Sequence, residues 1–218
     1  MSVTRVDFLV EGWSMKEALE QLVPRILPGL DFEVLDLGSK SQFMKKIPGR
    51  LKGYEHFLVN EPGWAVVLLR DVDQEDCRAI LRDLHGWISD ANLGLASAAS
   101  GVRGQVLCRL ADEMLESWFF GDGAALHAAF PRISPSWTQE RGLRRPDDIR
   151  DPARWLENEL KRRGYYSAGM PKAEVARLVA TYMNVDDNKS PSFVCFRDGV
   201  RFLAGSTITQ EDCHAETH

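Results

Sequence analysis

The sequence contains no apolar run long enough to cross a membrane. Its longest apolar stretches fall far short of the roughly 20 residues that a membrane-spanning helix requires. The first residues also lack the basic segment, apolar stretch and cleavage site of a secretory signal. We therefore expect a cytoplasmic protein that has no membrane partner.

Cysteine and histidine are few and scattered, which argues against a zinc centre, a redox pair or a catalytic histidine. No two cysteines have the CxxC spacing, and the five histidines lie apart or near the end of the chain. We expect reduced, mostly buried thiols, as is usual in the cytoplasm. The four cysteines are Cys77, Cys108, Cys195 and Cys213.

Phosphate-binding loops are also lacking. There is no Walker lysine loop and no GxGxxG, and the segment GSKSQFMKK is too loose to count as either. A phosphotransferase or nucleotide-binding enzyme is therefore only a third hypothesis. The net charge of −5 does not favour nucleic-acid binding by itself, so such a role would need a local basic patch or a bridging metal ion.

What is present is an alternation of apolar strands and amphipathic helices. The clearest strand is the uninterrupted apolar run of residues 64–69, which is typical of a central parallel strand covered on both faces. Ser14 and Glu17 form a capping-box pattern for the first helix, while residues 39–53 can be a helix or a loop. The other expected strands are residues 6–10, 32–37 and 105–110, and the other expected helices lie near residues 77–92, 111–120, 152–163 and 171–183. The pattern predicts an α/β fold with a mostly parallel sheet flanked by helices.

The composition changes after residue 130. Residues 131–150 are rich in proline, arginine and aspartate and are expected to form an exposed connection. Their arginines can contact nucleic-acid phosphates or pair with Asp147, Asp148 and Asp151 on the surface. We predict an α/β core over residues 1–130, a helical C-terminal extension packed on that core over 131–209, and a flexible tail over 210–218. The arginines are Arg141, Arg144, Arg145 and Arg150.

Acidic residues stand where two predicted strands end. Glu11 follows the first strand, and Asp71 and Asp73 follow the third. Functional groups of open parallel sheets gather beyond the carboxyl ends of the strands, and an extended backbone would direct residues 71 and 73 to one side. Carboxylates placed together repel one another unless a cation lies between them, and Mg²⁺ prefers oxygen ligands. The alternative is that Glu-Gly and Asp-x-Asp only mark surface turns.

These segments resemble the signature of TOPRIM domains, which occur in topoisomerases, bacterial primases and OLD-family nucleases. Over most of its length the chain is similar to a TOPRIM-like bacterial family of unknown function that is often encoded beside an AAA or ABC-type ATPase. The motifs that carry the resemblance are, in order, VEGWS, RDVDQEDC, ESWFFGD, RRPDDIRDPARWL, YYSAGMPKAEVA and SPSF.

The resemblance implies a Mg²⁺-dependent nuclease, with Mn²⁺ as a possible substitute, that acts on DNA or RNA. It implies Glu11 as a metal ligand or general acid/base and Asp71 and Asp73 as metal ligands and catalytic residues. Glu116 and Asp122 match the two acids of the ESWFFGD motif and would extend the cluster to a second ion. A partner ATPase and a role in defence against phage or plasmid DNA are implied in the same way.

Two positions depart from the family pattern. A second acid usually follows the first motif, where this sequence has Met15. A lysine is expected soon after the tyrosine of YYSAG, and Lys172 is the nearest candidate for this catalytic position, although it also suits an exposed first turn of a helix. These departures keep open an alternative function, in which a catalytically weak TOPRIM-like module binds an ATPase or nucleic acid.

Overall fold

A parallel sheet of four strands forms the centre of the computed structural model, which describes residues 3–140 and 142–205. The strands are β1 (Arg5–Val10), β2 (Asp31–Asp36), β3 (Trp64–Asp71) and β4 (Val106–Ala111), in the order β2-β1-β3-β4. All three pairs of neighbours are parallel. The predicted α/β fold with a parallel sheet and a helical C-terminal part is confirmed.

Eight α-helices and two short 3-10 turns surround the sheet within the described residues. The helices are α1 (Trp13–Ile26), α2 (Lys40–Asn60), α3 (Cys77–Asp90), α4 (Glu116–Phe120), α5 (Gly123–Ala129), α6 (Pro152–Arg162), α7 (Lys172–Tyr182) and α8 (Pro191–Leu203). The 3-10 turns are Trp137–Gln139 and Pro146–Asp148. No described helix is long and apolar enough to cross a membrane.

Alternating strand residues divide the apolar core between the two faces of the sheet. Phe8 and Val67 belong to the larger cluster, which contains buried side chains of α1 and of all helices from α4 to α8. Leu9 and Leu68 belong to the smaller cluster, formed with α2 and α3. Because buried side chains from both sides of residue 130 share the larger cluster, the division into two units there stays a prediction.

Several segments differ from the sequence-based expectations. Residues 39–53 lie in a long helix, whose start is stabilised by a capping box between Ser39 and Gln42. The first helix begins after Gly12 without a side-chain cap, so the expected Ser14 cap is wrong. The connection over residues 131–150 is not simply exposed, because Trp137 and Ile149 are buried in it.

The largest addition is α8, which lies in a part of the predicted helical extension to which the sequence pattern assigned no particular element. Ser190 caps it by accepting the Phe193 N–H, and Phe193 and Phe196 are fully buried. Within the described residues Cys77, Cys108 and Cys195 form no disulfide, and of these Cys108 is buried and the others half-buried. Cys213 and the predicted tail lie outside the described residues.

Candidate metal centre

The candidate site lies at the carboxyl edge of β1 and β3. Glu11 directly follows β1, and its backbone N–H continues the pairing of the strands by donating to the Leu69 carbonyl at 3.1 Å. Gly12 then adopts φ +86°, a conformation that favours glycine, and lets the chain turn into α1. The carboxylate of Glu11 is thereby held at the rim of the sheet, with 12% of its side chain exposed.

Arg70 lies beside Glu11 and was not among the sequence-based candidates. Its side chain is 1% exposed, and its Nε lies 3.3 Å from Glu11 Oε2. That Nε donates its hydrogen bond to the Asp71 carbonyl at 2.9 Å instead. Within the described residues, Glu11 Oε2 and Arg70 Nη1 are buried without a hydrogen-bond partner. An arginine within an otherwise apolar strand run was a signal that could have revealed it.

A network of charges extends from Arg70 to the third strand-end acid. Arg70 Nη2 contacts Glu75 Oε2 at 2.5 Å, and Lys40 Nζ contacts the same oxygen at 2.7 Å. Lys40 Nζ also lies 3.6 Å from Asp73 Oδ2. Lys40 is the first residue of α2, so Asp73 faces the side of the sheet that α2 covers.

The pKa of Glu11 reflects this environment. Burial is the main cause, and it raises the pKa of Glu11 to about 7, while the charge of Arg70 acts in the opposite direction. Lys40 also lowers the pKa, whereas Asp73 and Glu75 raise it. Near neutral pH, Glu11 therefore exchanges a proton, as a general acid or base must.

Asp71 is the last residue of β3 and is held from the other side of the sheet. Its Oδ1 accepts the Leu115 N–H at 2.8 Å, and Leu115 belongs to the larger core cluster. Burial raises the pKa of Asp71 well above its ordinary value. The charges of Glu116, Glu11 and Asp73 raise it further, so these three carboxylates lie within electrostatic reach of Asp71.

Asp71 and Asp73 do not lie on one extended segment, so the expectation that they point to one side is wrong. β3 ends at Asp71, and Asp73 has a left-handed φ of +53°. The Asp73 N–H donates to the Glu113 carbonyl at 2.6 Å. The turn directs Asp73 towards Lys40, whereas Asp71 faces α4.

Glu116 and Lys172 form the outer part of the site. Glu116 opens α4 and is buried, and its Oε1 lies 4.0 Å from Lys172 Nζ. Burial raises the pKa of Glu116, and Lys172 opposes this shift. Asp151 and Asp73 add to the increase. Lys172 is half exposed, so its ammonium group lies where the buried acids meet solvent.

Both carboxylate oxygens of Asp122 accept hydrogen bonds from backbone N–H groups. One carboxylate oxygen caps α5 by accepting the Ala125 N–H at 2.9 Å, and the other accepts the Asn184 N–H at 2.7 Å. Together the two bonds connect the start of α5 to the segment that follows α7. Met15, where the family pattern has an acid, is buried in the larger core cluster.

The residue types fit a hard divalent cation. All candidate ligands are carboxylates, Glu11 Oε2 is buried without a hydrogen-bond partner, and neighbouring negative charges raise the pKa of Asp71. Among residues 3–140 and 142–205, however, no three Asp, Glu, His or Cys side chains form a group that could hold a metal ion. Mg²⁺ usually takes only one or two carboxylates and keeps several waters, so the site suits Mg²⁺ better than an ion that needs a complete protein cage.

The fold and this edge define a Rossmannoid α/β protein with an acidic strand-end site. Residues 10–201 match the family model of DUF4276, a domain of unknown function, and the chain belongs to that family. Neither a curated protein nor a solved structure matches the chain.

Proposed function

We propose that this protein is a Mg²⁺-dependent nuclease of the TOPRIM type, which hydrolyses phosphodiester bonds in DNA or RNA and accepts Mn²⁺ in place of Mg²⁺. The proposal is supported above all by Asp71. Its pKa is raised by burial and by three further carboxylates, from the end of β1, the turn after β3 and the start of α4. Such mutual repulsion is relieved when a cation is bound.

The acids have separate parts in this proposal. Asp71, at the end of β3, and Glu11, after β1, would hold the ion, and Asp73 and Glu116 would add negative charge to its surroundings. Asp122 is not included, because backbone N–H groups already occupy both of its oxygens. When bound, the ion supplies a Lewis acid and neutralises charge on the scissile phosphate.

Where Glu11 does not ligate the ion, it would instead transfer the proton. A carboxyl group whose pKa is about 7 is present in both protonation states near neutral pH, so it can accept a proton from an attacking water or return one to a leaving oxygen. Lys172 can place its ammonium group against a phosphate oxygen, because it is half exposed and lies at the margin of the acids.

A cleavage assay tests the proposal. Purified protein is incubated with single-stranded and duplex DNA and RNA in Mg²⁺, Mn²⁺ or EDTA, with and without the proposed partner ATPase. We expect cleavage that depends on the metal ion and falls at least about a hundredfold in Asp71→Asn, because the ion loses its ligand at the end of β3.

The matched control is Asp83→Asn. Asp83 is an exposed acid on α3 and has no hydrogen bond or ion pair to a strand-end acid within the described residues, so its replacement should leave cleavage unchanged. Activity that persists in Asp71→Asn, or that needs no divalent ion, would exclude the proposed chemistry.

A second function is favoured by Arg70. Its buried guanidinium supplies Glu11 with a positive neighbour, and an ion pair of this kind can stabilise an acidic edge without a metal ion. The protein would then be a catalytically weak module that binds an ATPase or nucleic acid. Calorimetric titration with Mg²⁺ separates the two functions, because the module should show no Mg²⁺ affinity that depends on Glu11.

The partner and the setting extend the proposal. From the TOPRIM-like resemblance we propose that the protein acts in the cytoplasm as the effector of an AAA or ABC-type ATPase, in defence against phage or plasmid DNA. Co-purification of the two proteins from cells that express both tests the association, with the ATPase expressed alone as the control.

A further inference from the structure

A cleft of about 650 Å³ lies between the first 3-10 turn and α6. It is separate from the strand-end acids and contains two tryptophans, three arginines and three acids. The lining residues are Trp137, Glu140, Arg150, Asp151, Arg154, Trp155, Asn158, Glu159 and Arg162. A cleft that combines indole rings with guanidinium groups has the chemistry to bind an aromatic, anionic ligand.

The acids of the cleft are mostly engaged inside the protein. Glu159 is 6% exposed and is held by Arg162 at 2.7 Å and Arg163 at 2.8 Å. Asp151 caps α6 by accepting the Arg154 N–H at 3.2 Å. Glu140 is the exception, since it is exposed and its carboxylate has no hydrogen bond or ion pair within the described residues.

Two arginines, by contrast, are uncommitted. Arg150 and Arg154 are exposed, and within residues 3–140 and 142–205 neither guanidinium makes a hydrogen bond or an ion pair. Arginines elsewhere in this region are engaged, as Arg145 is with Asp148 at 3.5 Å and Arg144 with the Gln139 carbonyl at 2.6 Å. The cleft therefore offers two free guanidinium groups, which suit phosphate oxygens.

The two tryptophans of the cleft also differ, since one is part of the core and the other is exposed. Trp137 is 4% exposed and packs on Phe120 with ring centroids 5.2 Å apart, so it is part of the fold. Trp155 is 51% exposed although it is one of the largest apolar side chains. An exposed indole beside free arginines can stack on a nucleobase while the arginines contact the adjoining phosphates.

The cleft adjoins the acidic edge. Glu116 is the first residue of α4, and Phe120, which contacts Trp137, is the last. A helix of five residues places its ends only about 6 Å apart along the axis. α4 also packs against α6, which carries Arg154 and Trp155.

We propose that this cleft binds a single-stranded segment of nucleic acid, with a base on Trp155 and phosphates on Arg150 and Arg154. This inference rests on the proposed nuclease function, since it supplies the docking site for its substrate. The strand would continue from the cleft towards the strand-end carboxylates. A stacking ring requires an unpaired base, so the cleft favours single strands over duplexes.

Binding is measured without cleavage, by fluorescence anisotropy in EDTA. The probes are labelled oligothymidine and oligouridine of about 12 nucleotides and a duplex of the same length. We expect Trp155→Ala to weaken single-strand binding about tenfold, with Trp155→Phe retaining most of the affinity. The double variant Arg150→Ala/Arg154→Ala should lower the slope of log affinity against log salt by roughly 0.7 per arginine.

Three controls match these changes. Tyr182→Ala removes an exposed ring from α7, and Arg82→Ala removes an exposed arginine from α3 on the opposite side of the sheet; both should bind as the wild type does. Glu140→Gln removes the free acid of the cleft and should bind at least as tightly as the wild type. The inference is overturned if single strands do not bind, if duplex binds more tightly, or if the cleft variants behave as the controls.

Asp71→Asn separates this inference from the proposed function. Because Asp71 lies outside the cleft, this variant should bind single strands normally. If single strands bind at the cleft but the wild type cleaves nothing, the nuclease function is rejected and the cleft remains a binding site. If metal-dependent cleavage is the same in all cleft variants as in the wild type, the cleft is rejected as the substrate site and the nuclease function stands.

Discussion

Arg70 Nε lies 3.3 Å from Glu11 Oε2, although the two residues are far apart in the sequence. The register of the sheet explains the contact, because Val10 pairs with Leu69 and the residues that follow are brought side by side. Alternation of side chains then directs Arg70 to the face of the sheet that α2 and α3 cover. A buried guanidinium group therefore lies within the acidic edge.

Replacing Arg70 should destabilise the protein more at high pH than at low pH. In Arg70→Met the buried carboxylate of Glu11 loses its positive neighbour, which typically costs about 3 kcal/mol. Glu75 is less affected, since Lys40 remains 2.7 Å away. Urea unfolding near pH 8 should show the full loss, and near pH 5, where Glu11 is protonated, much less of it.

Arg82→Met is the control for this experiment. Arg82 is exposed on α3 and has no ion pair in the part of the chain that the structure describes, so its replacement should change stability by less than about 0.5 kcal/mol at either pH. An equal loss for Arg70→Met at both pH values would mean that packing, and not the charge on Glu11, is responsible.

The raised pKa of Glu11 predicts a fall in stability as the pH rises. In the folded state Glu11 has a pKa of about 7, so it retains a proton that it releases near its ordinary pKa of 4.5 in the unfolded chain. Folding is therefore favoured most below the unfolded pKa, and this contribution is lost as the pH rises through the folded pKa, by up to about 3 kcal/mol.

Glu11→Gln should remove this dependence, because the amide does not titrate. The measurement is the free energy of unfolding from about pH 4.5 to about pH 8, compared between the wild type and the variant. Asp148→Asn, which changes a mostly exposed acid, is the control and should follow the wild type. Parallel curves for wild type and Glu11→Gln would contradict a raised pKa.

Affinity for a divalent cation should rise with pH around neutrality. If Glu11 is a ligand, the ion must displace its proton, so affinity increases by at most about tenfold for each pH unit below the pKa of about 7 and levels off above it. Calorimetric titration with Mn²⁺ at several pH values measures this. Glu11→Gln should bind weakly at every pH, and a wild-type affinity independent of pH would exclude Glu11 as a ligand.

Asp122 should affect stability and not metal binding. Asp122→Ala removes the acceptor for two backbone N–H groups, those of Ala125 and Asn184, and loss of such a cap costs about 1–2 kcal/mol. Its Mn²⁺ affinity should equal that of the wild type. If Asp122→Ala binds Mn²⁺ more weakly while its free energy of unfolding equals that of the wild type, Asp122 is a metal ligand.

The sequence predicted the strands well because their signal is local. The apolar run of residues 64–69 falls within β3, and acids were visible close to the ends of the apolar runs, with Glu11 directly after that of β1 and Asp71 after Arg70 in β3. α8 was missed because its residues SFVCF favour a strand by composition. Burial of Phe193 and Phe196 against Trp118, and of Phe196 against Phe8, stabilises that segment as a helix.

By itself the sequence determined the parallel α/β architecture and the presence of Glu11, Asp71 and Asp73 at one edge, because apolar periodicity and chain order are properties of the sequence. The tertiary structure decided which face each acid uses and what lies beside it. It paired Glu11 with Arg70, turned Asp73 towards Lys40, and used Asp122 as a helix cap. These outcomes depend on strand register, a left-handed turn and the packing of distant helices, and none of these is a local property of the sequence.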